Sequence, residues 1–423
     1  MSSKIESVIA REILDSRGDP TVEVRVYLES GVRGRASVPA GASKGKKEAV
    51  ELRDNDPKRF NGLGVQKACA NINNLISKEI KGLDALNQRE IDKKLIDLDG
   101  TENKSKLGAN AILAVSMGVL RAATKSLKLP LYQYLRKLSS NPNSKDFPLP
   151  TPVMNLFNGG KHADTNLDFQ EFWIIPSSPD TARERIRLGV EIFHALKDIL
   201  RREGLDTDVG NEGGYAPDIN SSIDAIEWIM QAIKNCKYKP GKDIYLGIDA
   251  GANTFYDRER NTYFVEVEDS AFDTDKLIDL YDRWSNEYPL RLLEDGLRED
   301  DWEGWQKMTK KLGGKVTLIG DDLYCTNPKL LKEGIKRKAS NGILIKPNQI
   351  GTITETIDTV EFAKKNNFQV VVSHRSGETT DTTIVDLAVG LKADYLKAGS
   401  VSRGERVVKY NRLMEIEDHI ENN

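Results

Sequence analysis

The sequence predicts an α/β protein in two parts, a C-terminal (β/α)8-type barrel and an N-terminal α+β domain that caps it. Three observations carry this expectation. Near the start, Val22-Glu23-Val24-Arg25-Val26-Tyr27-Leu28 alternates with period two and meets a turn at Glu29-Ser30-Gly31, so a hairpin continues through residues 32–38. After Pro150 the pattern changes to apolar runs alternating with helical periodicity, as parallel βα units do. Finally, the runs 244–249, 290–294, 316–321, 342–346, 368–374 and 395–397 all end in polar or ionisable residues: Asp249, Glu294, Asp321, Lys346, His374 and Lys397. From Glu294 onward these ends lie 27, 25, 28 and 23 positions apart, about one strand, loop and helix each. Right-handed crossovers put their carboxyl ends on one face, which in a barrel is the face that carries the chemistry. A doubly wound open sheet is the alternative, and it spreads the same ends along a crevice.

Within this frame, residues 1–138 form the N-terminal domain, with a glycine-rich loop at 39–47 and helical periodicity from about Val65 to Lys137. Residues 139–150 are polar, rich in turn formers, and read as a linker; 151–423 form the barrel. The chain has 423 residues, 39% of them hydrophobic, and a net charge of -3, which excludes a fibre or a disordered chain. Lys+Arg 62 against Asp+Glu 65, with no dense basic cluster, argues against nucleic acid or an anionic membrane as partner but leaves small anions open. Cys69, Cys236 and Cys325 are odd in number and widely spaced, so they read as packing residues in a reducing compartment without a disulfide framework. There is no apolar signal segment at the N-terminus and no run of ~18 apolar residues, so a cytoplasmic protein is expected.

The chemistry lies at the strand ends. Asp249, Glu294 and Asp321 would be three carboxylates at one mouth, repelling one another unless a cation joins them, and such hard oxygen ligands suit magnesium or manganese. Taken singly, each reads more readily as a helix cap or a solvated strand end than as a ligand. Lys346, Lys397, His374 and Arg375 at the same mouth describe an anion site, fit for a carboxylate or a phosphate. Lys346 ends a buried strand and is a candidate base. A free lysine has a pKa of about 10.4, and bringing it to about 7–8 requires roughly 4 kcal/mol of differential stabilisation, which facing cations and desolvation supply in sign. Two further segments set acids beside flexible backbone: Asn158-Gly159-Gly160-Lys161-His162 leading to Asp168-Phe169-Gln170-Glu171, and Gly210-Asn211-Glu212-Gly213-Gly214. An acid facing a lysine separates a general acid from a general base, which suits proton abstraction next to a carboxylate.

Several motifs then point to a family. They are Ile13-Leu14-Asp15-Ser16-Arg17-Gly18, Leu107-Gly108-Ala109-Asn110-Ala111-Ile112-Leu113, Leu293-Glu294-Asp295, Gly320-Asp321-Asp322-Leu323, Asn348-Gln349-Ile350-Gly351 and Ser373-His374-Arg375-Ser376-Gly377-Glu378-Thr379. On them the chain resembles the enolase family from the N-terminal hairpin to the last helix. The resemblance implies a magnesium-dependent hydro-lyase in which Lys346 takes the C2 proton of 2-phosphoglycerate and Glu212 helps hydroxide leave C3, giving phosphoenolpyruvate. It implies a first magnesium on Asp249, Glu294 and Asp321 and a second entering with substrate against Ser43. Lys397 would hold the carboxylate and Arg375 and Ser376 the phosphate, with Gln170 and Ser43 also at the substrate. Glu171 would assist Glu212, with His162 and His374 nearby. His194 and His419 read as structural residues, and a homodimer or larger homo-oligomer is implied. The chain departs from the usual pattern at Lys44, Asn211, Asn253, Gly296, Pro347, Thr380 and Ala398. Two rivals stay open: a paralogue acting on a phosphonate or another carboxylate, supported by Lys44 and Asn211, and a non-catalytic binding protein on the same scaffold.

Overall fold

A computed structural model describes residues 2–42 and 45–422. The expectations placed on Ser43 and Lys44 therefore lie outside the described residues. The N-terminal part opens with an antiparallel sheet, β1 (Ile5–Leu14), β2 (Pro20–Leu28) and β3 (Arg33–Ser37), in that order. The hairpin is as the alternation predicts, whereas β1 was not foreseen. A register shift between Ile5 and Ser7 breaks its period, so Ile5, Val8 and Ala10 are buried while Ile9 is exposed. The apolar helix Ala109–Leu127 lies on this sheet. Its approach is close enough that a Cβ on Gly34 would meet the Gly118 carbonyl oxygen at 2.2 Å, so only glycine fits there.

The C-terminal part is a closed eight-strand barrel. Its strands are β4 (Thr151–Asn158), β5 (Glu171–Pro176), β6 (Ile244–Asp249), β10 (Leu290–Glu294), β11 (Thr317–Gly320), β12 (Gly342–Ile345), β13 (Gln369–Ser373) and β14 (Tyr395–Lys397). A small antiparallel sheet, β7 (Tyr256–Asp257), β8 (Thr262–Val265) and β9 (Ser270–Phe272), is inserted after β6. Closure rules out the open doubly wound sheet.

One strand departs from uniform βα repetition, since β5 runs antiparallel to both β4 and β6. The other neighbouring barrel strands are parallel. Reversal puts the first residue of β5, Glu171, at the same mouth as the last residues of its neighbours, in register with Asn158 and Asp249. The lumen beneath is a packed core of Val153, Trp173, Ile175, Leu292, Ile319, Leu344, Val371 and Tyr395. Gly247 makes room for the largest of these, because a Cβ there would lie 2.6 Å from Trp173 Cε3.

The N-terminal part is pinned to the rim of the mouth by main-chain bonds. Ala40 N–H donates to Gly377 O (2.8 Å), Gly377 N–H to Ala40 O (2.9 Å) and Ser16 N–H to Glu378 O (2.8 Å). All three cysteines are free thiols, with Cys69 and Cys325 buried. No described helix is long and apolar enough to cross a membrane.

Candidate active site

The barrel gathers the predicted residues at one mouth. Asp249, Glu294 and Lys397 end β6, β10 and β14, while Asp321, Lys346 and His374 follow β11, β12 and β13 by one residue. Together with Gln170, Glu171, Glu212, Arg375 and Ser376 they are buried or nearly so. They close on one another so tightly that only ≈ 20 Å³ remains between them, room for about one water.

Two ammonium groups fill the middle of this cluster. Lys397 Nζ donates to Glu294 Oε2 (2.9 Å), Glu294 Oε1 (3.0 Å) and Asp249 Oδ2 (3.1 Å), and lies 3.2 Å from Glu171 Oε1. It also stands over the Trp173 ring, 4.5 Å from the centroid. Lys346 pairs with Asp321 Oδ2, and Gln349 Nε2 donates to the other oxygen, Oδ1, at 2.8 Å. These contacts decide the charge states. Burial and the neighbouring Asp249 charge push the Glu294 carboxyl well above the usual range despite Lys397. Burial would also raise Asp321, yet Lys346 outweighs it and holds that carboxyl below its ordinary value. Conversely, burial would lower Lys346, and Asp321 outweighs it and keeps the ammonium above its usual value. Arg375 and Lys397 act on Lys346 in the lowering direction expected of it, and the paired Asp321 carboxylate outweighs them. Pro347 opens the short helix Pro347–Ile350 and leaves Lys346 extended (φ −126°, ψ 105°).

Sequence reasoning passed over two further acids. Asp295, held at φ 43°, accepts from the backbone N–H groups of Asp321 and Asp322, both at 2.9 Å, and so shapes the turn after β11. Asp322 Oδ2 accepts from Asn253 Nδ2 (2.8 Å), whose Oδ1 accepts from Glu299 N–H (3.0 Å). One of the departures from the family pattern is thereby given a role. Asp295, Asp321 and Asp322 each bring an oxygen within 4.8 Å of the others, as do ligand atoms of His162, Glu171 and Glu212. Asp249 and Glu294 belong to neither trio. Burial and mutual repulsion raise Asp295 far above the carboxylate range and Asp322 to about 7. A buried set of hard, mutually repelling oxygens fits a divalent cation of the magnesium type.

The second trio forms the acid side. Glu212 Oε1 accepts from Ser376 Oγ (3.0 Å) and Oε2 from Asn155 Nδ2 (3.4 Å), with His374 Nε2 at 3.4 Å and His162 Nδ1 at 3.6 Å. Burial pushes Glu212 up, but the charges of His162, Arg406 and Lys397 outweigh it and hold this carboxyl well below its usual range. Glu171, under burial and beside the Glu212 charge, is raised despite Lys397 and His162. Trp173 Nε1 donates to Glu171 Oε2 (2.6 Å), while Glu171 Oε1 and His162 Nδ1, 3.2 Å apart, make no aligned hydrogen bond. Of the two neighbouring carboxyls, then, Glu171 keeps the proton more firmly.

Arg406 was also missed. Its Nη1 donates to His374 Nδ1 (2.5 Å) and Arg375 O (2.7 Å), and its Nη2 to Ser376 O (2.6 Å) and Asn211 O (3.0 Å). A guanidinium cannot accept, so His374 carries its proton on Nε2, facing Glu212. Burial, with Arg406 adding to it, outweighs the Glu212 charge and holds His374 well below its usual pKa. A sequence signal existed: Arg406 and Lys409 fall on the buried stripe of the helix Gly404–Glu421, with Tyr410, Leu413 and Ile416. Arg406→Lys keeps the charge and loses the fork. It is expected to lower kcat about 10²-fold, as a misplaced catalytic geometry does, with an unchanged circular dichroism spectrum; steady-state kinetics checks this.

Arg375 makes a fork of a different kind, to Glu48: Nη1 to Oε2 at 2.9 Å and Nη2 to Oε1 at 3.2 Å. Burial would lower its pKa and Glu48 outweighs this. Gly296 packs against Leu293, Met308 and Tyr281, Ala398 is buried and Thr380 is exposed. His194 and His419 both lie in helices away from the mouth, in Ala182–Arg202 and Gly404–Glu421.

The family models agree with this architecture. That of the enolase N-terminal domain matches residues 5–135, and that of the enolase C-terminal TIM barrel domain matches residues 146–423. A capping sheet-and-helix domain, a closed barrel with one reversed strand, and a mouth of carboxylates and lysines coincide with matches over nearly the whole chain: the protein belongs to the enolase family.

Proposed function

We propose that this protein is a magnesium-dependent enolase that interconverts 2-phospho-D-glycerate with phosphoenolpyruvate and water, in glycolysis and gluconeogenesis. One observation carries the reading. Round the ring from β5 through β6, β10 and β11 to β12 is four steps in eight, so Glu171, with Glu212 beside it, stands across the mouth from Lys346. A base on one side and a proton-bearing carboxyl on the other is what removal of a proton and a hydroxide from adjacent carbons requires.

Substrate enters by exchange of partners. The Lys346–Asp321 and Lys397–Glu294 pairs must part, since they fill the space a ligand needs. Once Lys397 has turned away, Asp249, Glu294 and Asp321 would hold a magnesium ion and Ser43 a second one, and the metal would supply Lewis-acid stabilisation of charge growing on the substrate carboxylate. Released from Asp321, Lys346 can lose its proton and take one from C2. Lys397 turns from carboxylates of the protein to that of the substrate. Arg375 already holds two oxygens of Glu48 in the forked geometry a phosphate would take. His374, its Nε2 3.4 Å from Glu212 Oε2, flanks that carboxylate, and the Glu171–Glu212 pair delivers the proton that leaves with the C3 hydroxyl. The same reading carries Gln170 and Ser376 at the substrate, a homodimer or larger homo-oligomer, and the reducing cytoplasm on the strength of three free thiols.

Calorimetry tests the metal part. Binding of 2-phosphoglycerate is expected only with magnesium present, and Asp321→Asn is expected to weaken magnesium at least 10- to 100-fold. Equal binding of 2-phosphoglycerate in chelator would sink the assignment.

A further inference from the structure

We propose a second, non-catalytic anion site at the opposite end of the barrel from the mouth, a groove that takes a small organic phosphate or carboxylate through Arg136. The groove lies between the helix Leu131–Leu138, the segment leading into the start of β4, and the end of the helix Gly404–Glu421. Its volume is ≈ 510 Å³, within the range of small-molecule sites. Arg136, Lys137 and Lys145 are among its walls, and no carboxylate is among its lining residues.

Arg136 is the unusual member. It is only 4% exposed, yet its Nε and Nη2 are buried without any hydrogen-bond partner. Its Cζ stands over the Phe147 ring, 5.3 Å from the centroid. The acid adjoining it in space, Asp146, is engaged by Lys392 Nζ at 2.6 Å. Covered, unpaired guanidinium N–H groups are costly, and a bidentate anion is the partner they fit best. Burial accordingly holds Arg136 below its usual pKa, with Asp146 offsetting only part. A ligand with a ring would find apolar contact as well, since Tyr132, Phe147 and Leu129 line the same groove. Tyr132 packs edge-on against Phe147 (4.9 Å, 86°) and shares a 2.7 Å hydrogen bond with His419 Nδ1. His419 thus sits in the groove wall, whereas His162 and His374 line the catalytic cleft and His194 lies on a separate helix.

The four histidines make the two sites separately readable. The full-length protein, labelled at histidine Cε1, is titrated with inorganic phosphate, phenyl phosphate and benzoate and followed by proton–carbon correlation spectra, with His419→Gln assigning its peak. Phenyl phosphate is expected to move the His419 signal along a saturable curve, with His194 still; movement of His162 or His374 reports the catalytic cleft alone. Whether phosphate or benzoate competes shows which headgroup the site prefers. In Arg136→Met the His419 curve is expected to weaken at least tenfold, while Arg136→Lys, which keeps the cation, retains part of the response. A His419 signal unmoved by all three anions in the unmodified protein overturns the proposal. So does an identical curve in a folded Arg136→Met, which would leave Arg136 only a structural partner of Phe147.

Discussion

Replacing Lys346 by alanine is expected to abolish exchange of the C2 proton of 2-phosphoglycerate in deuterated buffer and to lower turnover by at least about 10³-fold, within the range a positioned general base contributes. Lys346 is the residue to remove because it sits at a fixed point of the barrel. β12 ends at Ile345, Pro347 confines the lysine backbone to extended angles, and its own N–H is tied to Thr326 Oγ1 at 2.9 Å. The same variant carries an internal control. Asp321 loses the ammonium it now pairs with and retains Gln349, so magnesium no longer competes with a protein cation and is expected to bind at least as tightly as before. Lost exchange with retained metal binding separates a missing base from a damaged site. Substantial residual exchange would remove Lys346 from that role.

The second large effect is expected at Glu212. Glu212→Gln leaves a similar shape beside Ser376 and Asn155 but removes a charge and turns an amide towards the Nε2–H of His374. Dehydration is expected to fall by about 10²- to 10⁴-fold, with proton exchange at C2 retained far better, because exchange needs Lys346 alone. Since Glu171 keeps its proton more firmly than Glu212, Glu171→Gln is expected to show the same split. Equal loss of exchange and dehydration in both variants would mean that this pair only organises the mouth. Measuring isotope exchange and product formation on one sample decides between them.

How much of this could be read beforehand depends on whether a feature is local in the chain. The barrel was legible because six of its eight strands are short apolar runs ending in one polar residue, from Glu294 onward at a regular interval, a pattern imposed by burial. Strand direction leaves no such mark. Glu171 was expected at the mouth, but its position there follows from the reversal of β5, which an apolar run does not encode. β1 escaped for a related reason, its bulge shifting the alternation by which strands are recognised. In the site, the residues with chemistry of their own were found, and those that hold them were not. Glu48 lies 327 positions from the Arg375 it pairs with, and Arg406 acts on His374 from the third element after β13. Asp295 matters through backbone N–H groups, which every residue but proline has. That Asp321 pairs with Lys346 and holds its ammonium above the usual value is not written in the lysine's own stretch, because only folding brings that carboxylate there.

The central claim is that this mouth dehydrates 2-phosphoglycerate, and the direct measurement is the ultraviolet absorbance of phosphoenolpyruvate as magnesium is added to the purified protein with 2-phosphoglycerate. Absorbance is predicted to rise with a rate that saturates in magnesium, stops on chelation and is missing in Lys346→Ala. A folded, magnesium-saturated protein that forms no phosphoenolpyruvate would contradict the account.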